Sequence, residues 1–282
     1  MAGSSLAVQN LFSVVGKQVV VTGGSRGIGF MIAQGFVENG AHTFITARNG
    51  TACDEAAVRL NEAAEERQSG GSCVSIPGID LSSEEGCAEF QREVESRVDK
   101  LHVLINNSGT SWGQKFEEFP AHGFDKIMRL NVTTPFMLTQ KFLPMLRRGA
   151  DVNDPGRVIN IGSVAGFLPQ PWPTYSYDAS KAAIHHLTRK LGGELAQGNG
   201  NDSERVTVNA IAPGIVPSSM SKQLNVYADQ EAIENAVPLG RVGEPEDMCA
   251  ASLYLSSRAG AWISGSVISV DGGAISQNIA MY

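Results

Sequence analysis

Short apolar segments alternate with segments of helical periodicity along almost the whole chain, and this alternation constrains the fold more than any other feature. Seven segments rich in β-branched residues are apolar at successive positions, as in strands that helices cover on both faces. These predicted strands are residues 18–22, 43–47, 73–77, 103–106, 157–161, 206–212 and 267–270. The predicted helices between them are residues 28–38, 54–69, 83–98, 124–147, 177–196 and 245–257. The pattern predicts an α/β fold: a single doubly wound parallel sheet of the Rossmann type with helices on both faces.

The alternation runs without an internal repeat or a domain-splitting linker, so we predict one domain over residues 1–282. Residues 149–156 and 198–205 are rich in Gly, Asn and Asp and are predicted to be surface loops. Residues 213–238 follow a strand, but they have weak periodicity and several small polar residues. Because long irregular segments at the carboxyl end of a strand often cover a ligand, we predict a substrate lid there.

Composition and charge exclude several classes of function. The hydrophobic fraction of 42% is ordinary for a globular protein, and the net charge of −7 argues against nucleic acid or an anionic membrane as a partner. The four cysteines form no CxxC pair, so we expect free thiols and no metal site. Residues 1–16 lack the features of a signal peptide, and no apolar run approaches the roughly 18 residues that span a bilayer. We therefore expect a cytoplasmic enzyme, with residues 1–16 as a loosely held arm.

The first predicted strand leads directly into Thr22-Gly23-Gly24-Ser25-Arg26-Gly27-Ile28-Gly29, and a helix follows. Glycines let the chain turn sharply and let backbone N–H groups approach a pyrophosphate at the positive end of a helix. A glycine-rich turn alone is a weak signal, since an ordinary strand-to-helix turn can have the same composition. Its place after the first strand favours a dinucleotide-binding turn.

Two arginines indicate which cofactor the chain binds. Enzymes that use NAD commonly carry an acidic residue at the end of the second strand, where it binds the ribose hydroxyls. Here that strand ends at Thr46-Ala47-Arg48, and Arg26 projects from the glycine-rich turn toward the same region. Guanidinium groups suit a 2′-phosphate because they donate charge-assisted and often bidentate hydrogen bonds. Either arginine alone is also typical of a solvated surface, but together they favour NADP(H).

Tyr177 and Lys181 are four residues apart in a strongly helical stretch, which places them one turn apart on one face. An ordinary surface pair would have the same spacing. A free tyrosine has a pKa of about 10, and a nearby ammonium would lower that of Tyr177 toward the working range. Ser163 follows the fifth strand at the edge where open α/β sheets bind ligands, and its hydroxyl can donate to a substrate carbonyl oxygen. Tyr175 has no lysine four residues later, so Tyr177 is the predicted acid.

These motifs, in this order, resemble those of the short-chain dehydrogenase/reductase family, whose compact members are built as one Rossmann domain. The resemblance covers residues 16–273, which is nearly the whole chain. The matching motifs are Thr22-Gly23-x-x-x-Gly27-x-Gly29, Asp80-Leu81, Asn106-Asn107-Ser108-Gly109, Asn131, Ser163, Tyr177-x-x-x-Lys181 and Asn209-x-x-x-Pro213-Gly214. Several motifs in the right order are far more specific than any one of them.

The resemblance implies a role for each matching residue. Tyr177 exchanges the proton with the substrate oxygen, and Ser163 orients that oxygen. Lys181 binds the nicotinamide ribose and lowers the tyrosine pKa, while Asn131 helps to hold a water that links the lysine to solvent. The residues implied to bind the cofactor are Gly23, Ser25, Arg26, Gly27, Ile28, Gly29, Arg48, Asp80, Leu81, Asn107, Gly109, Tyr177, Lys181, Pro213, Gly214, Val216 and Ser218.

The chain departs from the family pattern in small ways. Ser108 replaces the usual alanine of the Asn-Asn-Ala-Gly motif, and Ser218 stands where threonine is more usual. An insert at residues 169–173 should reshape one wall of the pocket. Residues 107–113 and 157–163 resemble a bacterial subgroup of 3-oxoacyl thioester reductases linked to rhamnolipid synthesis. The expected reaction is therefore reduction of a ketone or a 3-oxoacyl thioester with NADPH as hydride donor.

Other interpretations stay open at this stage. The same chemistry would serve a polyketide, steroid or sugar carbonyl, whereas a non-catalytic NADP-binding sensor or scaffold would be expected to lack the tyrosine or the lysine. Aromatic residues that could line an apolar pocket are Trp112, Phe167, Trp172 and Tyr175, although Phe167 fits core packing nearly as well. The basic residues that could receive an acidic carrier protein are Lys126, Arg129, Arg189 and Lys190, although a solvated helix face explains them better.

Two further expectations concern surfaces. His185 and His186 have no acidic partners at ligand spacing, so we expect them at the surface rather than at a metal. The predicted helices 124–147 and 177–196 carry more apolar residues than one sheet face needs, which suggests an isologous partner. Because the family commonly forms tetramers, a homotetramer or homodimer is expected, with residues 274–282 able to cross to a neighbouring subunit.

Overall fold

The structure, a computed structural model, describes residues 6–218 and 230–276. Its sheet consists of β1 (Gln18–Thr22), β2 (His42–Ala47), β3 (Ser72–Pro77), β4 (Val103–Asn106), β5 (Gly156–Ile161), β6 (Val206–Pro213) and β7 (Val267–Val270). All neighbouring strands are parallel, in the order β3-β2-β1-β4-β5-β6-β7. The predicted doubly wound sheet is confirmed, and every predicted strand agrees with the observed one to within one residue.

The helices of the described residues are α1 (Val8–Leu11), α2 (Gly27–Glu38), α3 (Gly50–Arg67), α4 (Glu84–Glu95), α5 (Ala121–Met128), α6 (Thr134–Gly149), α7 (Tyr175–Leu195), α8 (Gln230–Asn235) and α9 (Pro245–Ser256). Side-chain caps determine where some of them begin. The Asn49 side chain accepts a hydrogen bond from the Ala52 N–H at 3.1 Å, so α3 begins four residues before the predicted start. Ser83 caps α4 in the same way through the Gly86 N–H.

One predicted helix, residues 124–147, is wrong as a single element. The structure divides it into α5 and α6, which are joined by a π-helical turn at Arg129–Thr133. A π turn widens the helix by one residue, and hydrophobic periodicity does not register such a local change. Asn131, at the centre of the turn, is only 3% exposed. The turn thus points a polar side chain inward at a place where a regular helix was expected.

Helices cover both faces of the sheet, which accounts for strands that are apolar at successive positions. Val19 and Val21 of β1 belong to one core cluster, which α2, α3 and α9 complete. Val20 belongs to the other cluster, on the opposite face, which α4 and α6 complete. Neighbouring side chains of a strand point to opposite faces of the sheet. Because helices cover both faces, each strand needs apolar residues at its odd and at its even positions.

Two peripheral predictions have different outcomes. Residues 150–155 connect α6 to β5 without a helix or strand, as predicted, while the predicted loop at residues 198–205 contains the short 3-10 turns Gly198–Gly200 and Asp202–Glu204. The prediction of a loosely held amino-terminal arm is wrong from Phe12 onward, whereas residues 6–10 are exposed. Val14 is 1% exposed in the core, and the Phe12 ring lies 6.2 Å from that of Tyr254. Residues 1–5 lie outside the described residues.

The strand order reverses at β1, which pairs with β2 on one side and with β4 on the other. Chains that leave β1 and β4 therefore cross to opposite faces of the sheet and open a crevice at its carboxyl edge. The residues that directly follow β1, β4 and β5 all lie at this edge. The fold thus brings the glycine-rich turn, Asn107 and Ser163 to one side of the molecule.

A buried ionic network closes the opposite edge of the sheet. Arg157 is 1% exposed, and its guanidinium donates to the carbonyl oxygens of Leu255 and Ser257, each at 3.0 Å. Asp154 accepts from Arg157 at 2.7 Å and from the buried Lys17 at 2.6 Å. One carboxylate therefore compensates two buried cations, and Arg157 ties β5 to the end of α9.

Replacement of Asp154 by alanine should destabilise the protein strongly, because both cations would then be buried without a counter-charge. We expect a loss of about 3 kcal/mol in the free energy of unfolding, measured by urea denaturation and circular dichroism. Asp202→Ala is the matched control, since Asp202 and Arg205 form an ion pair of the same spacing at the surface. That control should cost less than about 1 kcal/mol. Equal losses in the two variants would contradict this account of the network.

Candidate active site

Thr22, the last residue of β1, connects the glycine-rich turn to the loop after β4 by hydrogen bonds. Its buried hydroxyl accepts hydrogen bonds from the backbone N–H groups of Asn107 at 3.0 Å and Ser108 at 2.9 Å. Asn107 returns a hydrogen bond from its side-chain amide to the Thr22 carbonyl oxygen at 2.8 Å. The turn after β1 and the loop after β4 are therefore one hydrogen-bonded unit. The predicted cofactor residues of these two segments are adjacent in space.

The glycines of the turn are required by its geometry. Gly23 and Gly27 have φ angles of 67° and 55°, a region that other residues rarely adopt. A Cβ atom on Gly29 would overlap with the Gly23 carbonyl group and the Asn107 side chain. Glycine at these positions keeps side chains out of the turn at the start of α2. This is the geometry in which backbone N–H groups approach a pyrophosphate, so the residues present fit a dinucleotide.

Arg26 and Arg48 follow β1 and β2, which are neighbours in the sheet. Both side chains are exposed, and neither forms an ion pair within residues 6–218 and 230–276. Asp80, after β3, is exposed and close enough to Arg48 to feel its charge. The Ser82 N–H, which donates to Asp80 at 3.0 Å, lowers the pKa of that carboxyl, and the charge of Arg48 lowers it further. The two guanidinium groups therefore fit a ligand phosphate at this end of the crevice.

Asn131 connects the loop after β4 to α7. Its side chain accepts from the Thr110 N–H at 2.9 Å and donates to the Thr110 carbonyl oxygen at 3.0 Å. It also donates to the Ser180 hydroxyl at 3.0 Å, and that hydroxyl donates to the Tyr177 carbonyl oxygen at 2.7 Å. Thr110 and Ser180 were missed in the sequence analysis. Ser180 directly precedes Lys181 in the sequence, and this position next to a predicted catalytic residue could have indicated that it belongs to the site.

Ser163, Tyr177 and Lys181 lie together where β5 ends against α7. The Lys181 Nζ donates to the Ile161 carbonyl oxygen at 2.8 Å and lies 5.5 Å from the centre of the Tyr177 ring. Ser163 is 9% exposed, and its hydroxyl accepts from the Ala165 N–H at 3.2 Å. Asn131 joins this group through Ser180. The structure thus brings the four predicted catalytic residues into one cluster, while their roles stay predictions.

The expected pKa of Tyr177 is wrong in direction. Loss of water around the phenol raises the pKa of Tyr177, although the Ser163 side chain lowers it and the Asp178 charge raises it further. The charge of Lys181 is not among the causes of this shift, and burial lowers the pKa of its amine to about 8. The amine is therefore still largely charged at neutral pH and can stabilise a phenolate once one forms. Spacing alone indicated the attraction between the pair but not the desolvation of both groups.

The predicted lid, residues 213–238, is described at its two ends, and residues 219–229 lie outside the described residues. The Gly214 N–H donates to the Val270 carbonyl oxygen at 3.0 Å, and a Cβ atom on Gly214 would lie 2.9 Å from Asp271. Val216 is 3% exposed. A Cβ atom on Gly27 would lie 3.3 Å from the Cβ of Ser218. This end of the segment therefore contacts the glycine-rich turn, where the cofactor prediction placed it.

The aromatic residues predicted to line a pocket occupy different environments. Trp112 packs edge-on against His122, with ring centres 5.5 Å apart, and the Lys126 ammonium lies 5.5 Å from its ring. Trp112 therefore packs against α5. Trp172 is half-buried in the loop that precedes α7.

Tyr175 is 43% exposed and packs edge-on against Phe116 at 5.5 Å and Phe119 at 5.7 Å. Phe116 and Phe119 were missed, although the sequence shows two phenylalanines close together after β4. The Gln114 N–H donates to the Pro173 carbonyl oxygen at 3.1 Å, so the loops after β4 and β5 are in contact. The three rings form an apolar surface, defined here as Phe116, Phe119 and Tyr175, close to the start of α7.

The prediction that both histidines are at the surface is wrong for His185. His186 is exposed, but His185 is 2% exposed, and Phe167 packs on its ring with centres 4.7 Å apart. His185 lies one turn after Lys181, on the side of α7 that packs against the Val164–Gly166 turn. Periodicity could not decide which of two adjacent histidines faces inward. Within the described part of the chain, no group of three or more His, Cys, Asp or Glu side chains could hold a metal ion.

The four basic residues considered for a carrier protein do not form one patch. The Arg129 Nε donates to the Ser82 carbonyl oxygen at 2.7 Å, and Lys190 pairs with Glu194 at 3.3 Å. Lys126 and Arg129 belong to α5 and the π turn, whereas Arg189 and Lys190 belong to α7. The interpretation as solvated helix residues accords with their exposure, apart from the half-buried Arg129.

Among the residues described, none of the helices has the length and apolar character that crossing a membrane requires.

Lys181 should make stability depend on pH in a defined window. Its pKa is lowered from 10.5 to about 8, so between these values the unfolded chain binds a proton that the folded protein does not. Stability therefore rises with pH across this window. We expect the free energy of unfolding of the wild type, minus that of Lys181→Met, to rise by about 3 kcal/mol from pH 8 to 10.5.

Urea denaturation at a series of pH values measures this difference, in which the titrations common to both proteins cancel. Lys190→Met removes an exposed lysine of the same helix and should give a difference that is flat with pH. A flat curve for Lys181→Met would mean that its amine stays charged in the folded protein.

Comparison with known proteins agrees with this geometry. A family model described as short chain dehydrogenase matches residues 17–228. The rhamnolipids biosynthesis 3-oxoacyl-[acyl-carrier-protein] reductase of Pseudomonas aeruginosa is 45% identical over 265 residues, which cover 93% of this chain and 97% of the relative. A 3alpha-hydroxysteroid dehydrogenase of Mediterraneibacter gnavus is 33% identical over 258 residues, which cover 92% of this chain and 96% of the relative.

A solved structure, described as the Pseudomonas aeruginosa RhlG/NADP active-site complex, matches with a TM-score of 0.85 and 44% identity, and covers 94% of this chain and 98% of its own. The predicted family and the predicted class of nicotinamide-dependent oxidoreductase are therefore confirmed. The chain belongs to the short-chain dehydrogenase/reductase family.

Proposed function

We propose that this protein reduces a ketone or a 3-oxoacyl thioester to the corresponding hydroxy compound, with NADPH as the reductant. One observation carries the proposal: Ser163, Tyr177 and Lys181 lie together at the carboxyl edge of the sheet, on the same side as the glycine-rich turn. A proton donor and a dinucleotide-binding turn at one crevice are the two parts that carbonyl reduction requires.

Tyr177 is the proposed proton donor. The phenol holds its proton at neutral pH, and burial raises its pKa further, so it would give the proton to the substrate oxygen only as negative charge develops there. Ser163 is proposed to donate a hydrogen bond to the same oxygen, which would stabilise that charge in a site with little water. The bound nicotinamide would supply the hydride.

Lys181 and Asn131 complete the proposed site. The buried Lys181 amine would bind the nicotinamide ribose hydroxyls and stabilise the phenolate that proton transfer leaves behind. Asn131 would help to hold the water that returns a proton from solvent. Its hydrogen bonds to Thr110 and Ser180 support a fixed geometry for this role.

We assign NADP(H) as the cofactor, and three observations support this choice. Arg48 instead of an acid follows β2, the exposed Arg26 follows the neighbouring β1, and neither has an ion-pair partner within the described residues. The relative solved as an NADP complex has the same fold. The proposed binding residues are Gly23, Ser25, Arg26, Gly27, Ile28, Gly29, Arg48, Asp80, Leu81, Asn107, Gly109, Tyr177, Lys181, Pro213, Gly214, Val216 and Ser218.

For the substrate, a 3-oxoacyl thioester is supported by the 45% identity to a 3-oxoacyl-[acyl-carrier-protein] reductase. The apolar surface of Phe116, Phe119 and Tyr175 would suit an alkyl chain. The second candidate is the carbonyl of a rigid apolar ring system such as a steroid. The same surface would suit it, and a steroid dehydrogenase is 33% identical. Because both Tyr177 and Lys181 are present, a non-catalytic sensor or scaffold is the weaker alternative.

We further propose that residues 1–282 act as one domain, with residues 213–238 as the lid. The single sheet supports the first statement, and the contact of Ser218 with the glycine-rich turn supports the second. A homotetramer or homodimer is proposed because Trp262, between α9 and β7, is 96% exposed, and tryptophan is enriched at subunit interfaces relative to the rest of a protein surface. The cytoplasm is the proposed location, since NADPH is a reductant of the cell interior.

Removal of the Tyr177 hydroxyl should abolish reduction without loss of the cofactor. We expect Tyr177→Phe to lower kcat by about 100-fold or more, because the proton donor is lost. The assay follows the 340 nm absorbance of NADPH with a 3-oxoacyl thioester, a steroid ketone and a simple ketone. NADPH binding, measured by fluorescence, should change little. Tyr254→Phe is the matched control, and its kcat should stay within about threefold of the wild type, since Tyr254 belongs to α9 and packs near Phe12, outside the site. Unchanged turnover in Tyr177→Phe would defeat the assignment.

Charge reversal at Arg48 should change the preference between the two cofactors. Arg48→Asp removes a donor to the 2′-phosphate and adds a repelling charge, so the KM for NADPH should rise by about tenfold or more while that for NADH falls. Arg258→Asp makes the same change in charge on an exposed turn at the opposite edge of the sheet and should leave both KM values alone. An NADPH preference that survives in Arg48→Asp would contradict this role.

A further inference from the structure

His185 is buried in a way that its chemistry does not explain. It is 2% exposed, and neither ring nitrogen forms a hydrogen bond of good geometry within the described part of the chain, although the ring approaches the Gly166 backbone. Buried polar groups are nearly always hydrogen-bonded, so an exception needs a reason. Burial, with the charges of Lys181 and Arg189, lowers the pKa of the ring to about 4, although the Gly166 backbone raises it. The ring is therefore uncharged at neutral pH. The reason for a histidine at this position must lie in the shape of the ring and in what it packs against.

The ring fills a slot between α7 and the segment that carries Ser163. A Cβ atom on Gly162 would overlap with the Nε2 of His185, and one on Gly166 would lie 2.6 Å from its Cε1. Glycines therefore stand on both sides of Ser163, at the two positions where the ring touches the backbone. Phe167 packs on the ring from a third side, with centres 4.7 Å apart. The slot admits a planar ring only because both neighbours lack side chains.

The same helix holds the other end of this segment. Lys181, one turn before His185, donates to the Ile161 carbonyl oxygen at 2.8 Å. The segment from Ile161 to Gly166 is thus attached to α7 by a hydrogen bond at its first residue and by the imidazole ring beyond it. Tyr177 stands one turn before Lys181 on this helix. The distance between the Ser163 and Tyr177 hydroxyls therefore depends on how α7 packs against this segment.

We propose that His185 is a positioning residue for Ser163: its uncharged ring, wedged between Gly162 and Gly166, holds the serine hydroxyl against Tyr177. The inference rests on the proposed reductase function. The observations behind it are the two glycines and the ring that packs between them. The shape of the uncharged ring fixes the position of the segment.

Replacement of the ring tests the proposal. His185→Ala empties the slot, and kcat should fall by about tenfold or more, since a displacement of about 1 Å can cost a hundredfold in rate. The Kd of NADPH, measured by fluorescence, should stay within about twofold, because the glycine-rich turn lies elsewhere. His185→Phe restores a planar ring and should recover kcat to within about threefold of the wild type. His186→Ala, at the exposed neighbouring histidine, is the matched control and should leave both constants unchanged.

A double-mutant cycle then asks whether the ring and the glycine act on each other. Gly162→Ala should lower kcat by about tenfold in the wild type, because its methyl group collides with the ring. In the His185→Ala background the overlap with the ring is gone, and the next atom, the Ile211 carbonyl oxygen at 3.3 Å, is a tight contact that a shift of a few tenths of an ångström relieves. There the same substitution should lower kcat by less than about threefold. A residue that only stabilised the fold would change the melting temperature without this coupling in kcat.

Additive effects in the cycle, or wild-type kcat in His185→Ala, would overturn the proposal. If His185→Ala does not fold, Gly162→Ala alone decides. A lower kcat with an intact Kd for NADPH supports the proposal, and a wild-type kcat refutes it. Failure of the proposed function is distinct from these outcomes, because the wild type would then turn over none of the ketones, or Tyr177→Phe would remain active.

Discussion

The arrangement of the site depends on one hydrogen bond, from the Lys181 Nζ to the Ile161 carbonyl oxygen. A lysine buried to 7% exposure needs a partner for its amine, and here the end of β5 provides it. The bond attaches α7, which carries Tyr177, to the strand that leads into Ser163. The side chains of Ser163, Tyr177 and Lys181 therefore keep a fixed arrangement, although they come from two different segments. A crevice that opens at the strand ends would otherwise leave helix and strand free to shift relative to one another.

Burial has a second consequence, which concerns charge. Desolvation raises the pKa of Tyr177 and lowers that of Lys181 to about 8, so at neutral pH the phenol is uncharged and the amine is largely charged. The phenol therefore holds a proton for the substrate oxygen, and the neighbouring ammonium would stabilise the phenolate that forms. The opposite direction of reaction would begin from a phenolate, whose charge the site disfavours. The electrostatics thus accord with reduction, in which negative charge develops on the substrate oxygen and is neutralised there.

Stability and chemistry occupy opposite edges of the sheet. At the amino edge, Asp154 holds two buried cations, and the Arg157 guanidinium fastens β5 to the end of α9. At the carboxyl edge, the chain turns through glycines with positive φ angles and through a π-helical turn. The glycines let a ligand approach the backbone, and the π turn points the Asn131 side chain inward. Parallel strands make this division possible, because all of their carboxyl ends, and the loops that follow, lie on one side.

The sequence by itself determined the strands, the dinucleotide-binding turn and the motif residues. Apolar runs, glycine spacing and helical repeats are local signals, and each can be interpreted within about one element. Only the tertiary structure decided the π turn at Asn131, the packing of Phe12 and Val14, the burial of His185 and the direction of the Tyr177 pKa shift. These depend on what packs against a residue from distant parts of the chain. The sequence does not distinguish His185 from His186 as the buried histidine. Only the contact of α7 with Gly162 and Gly166 shows that His185 is buried.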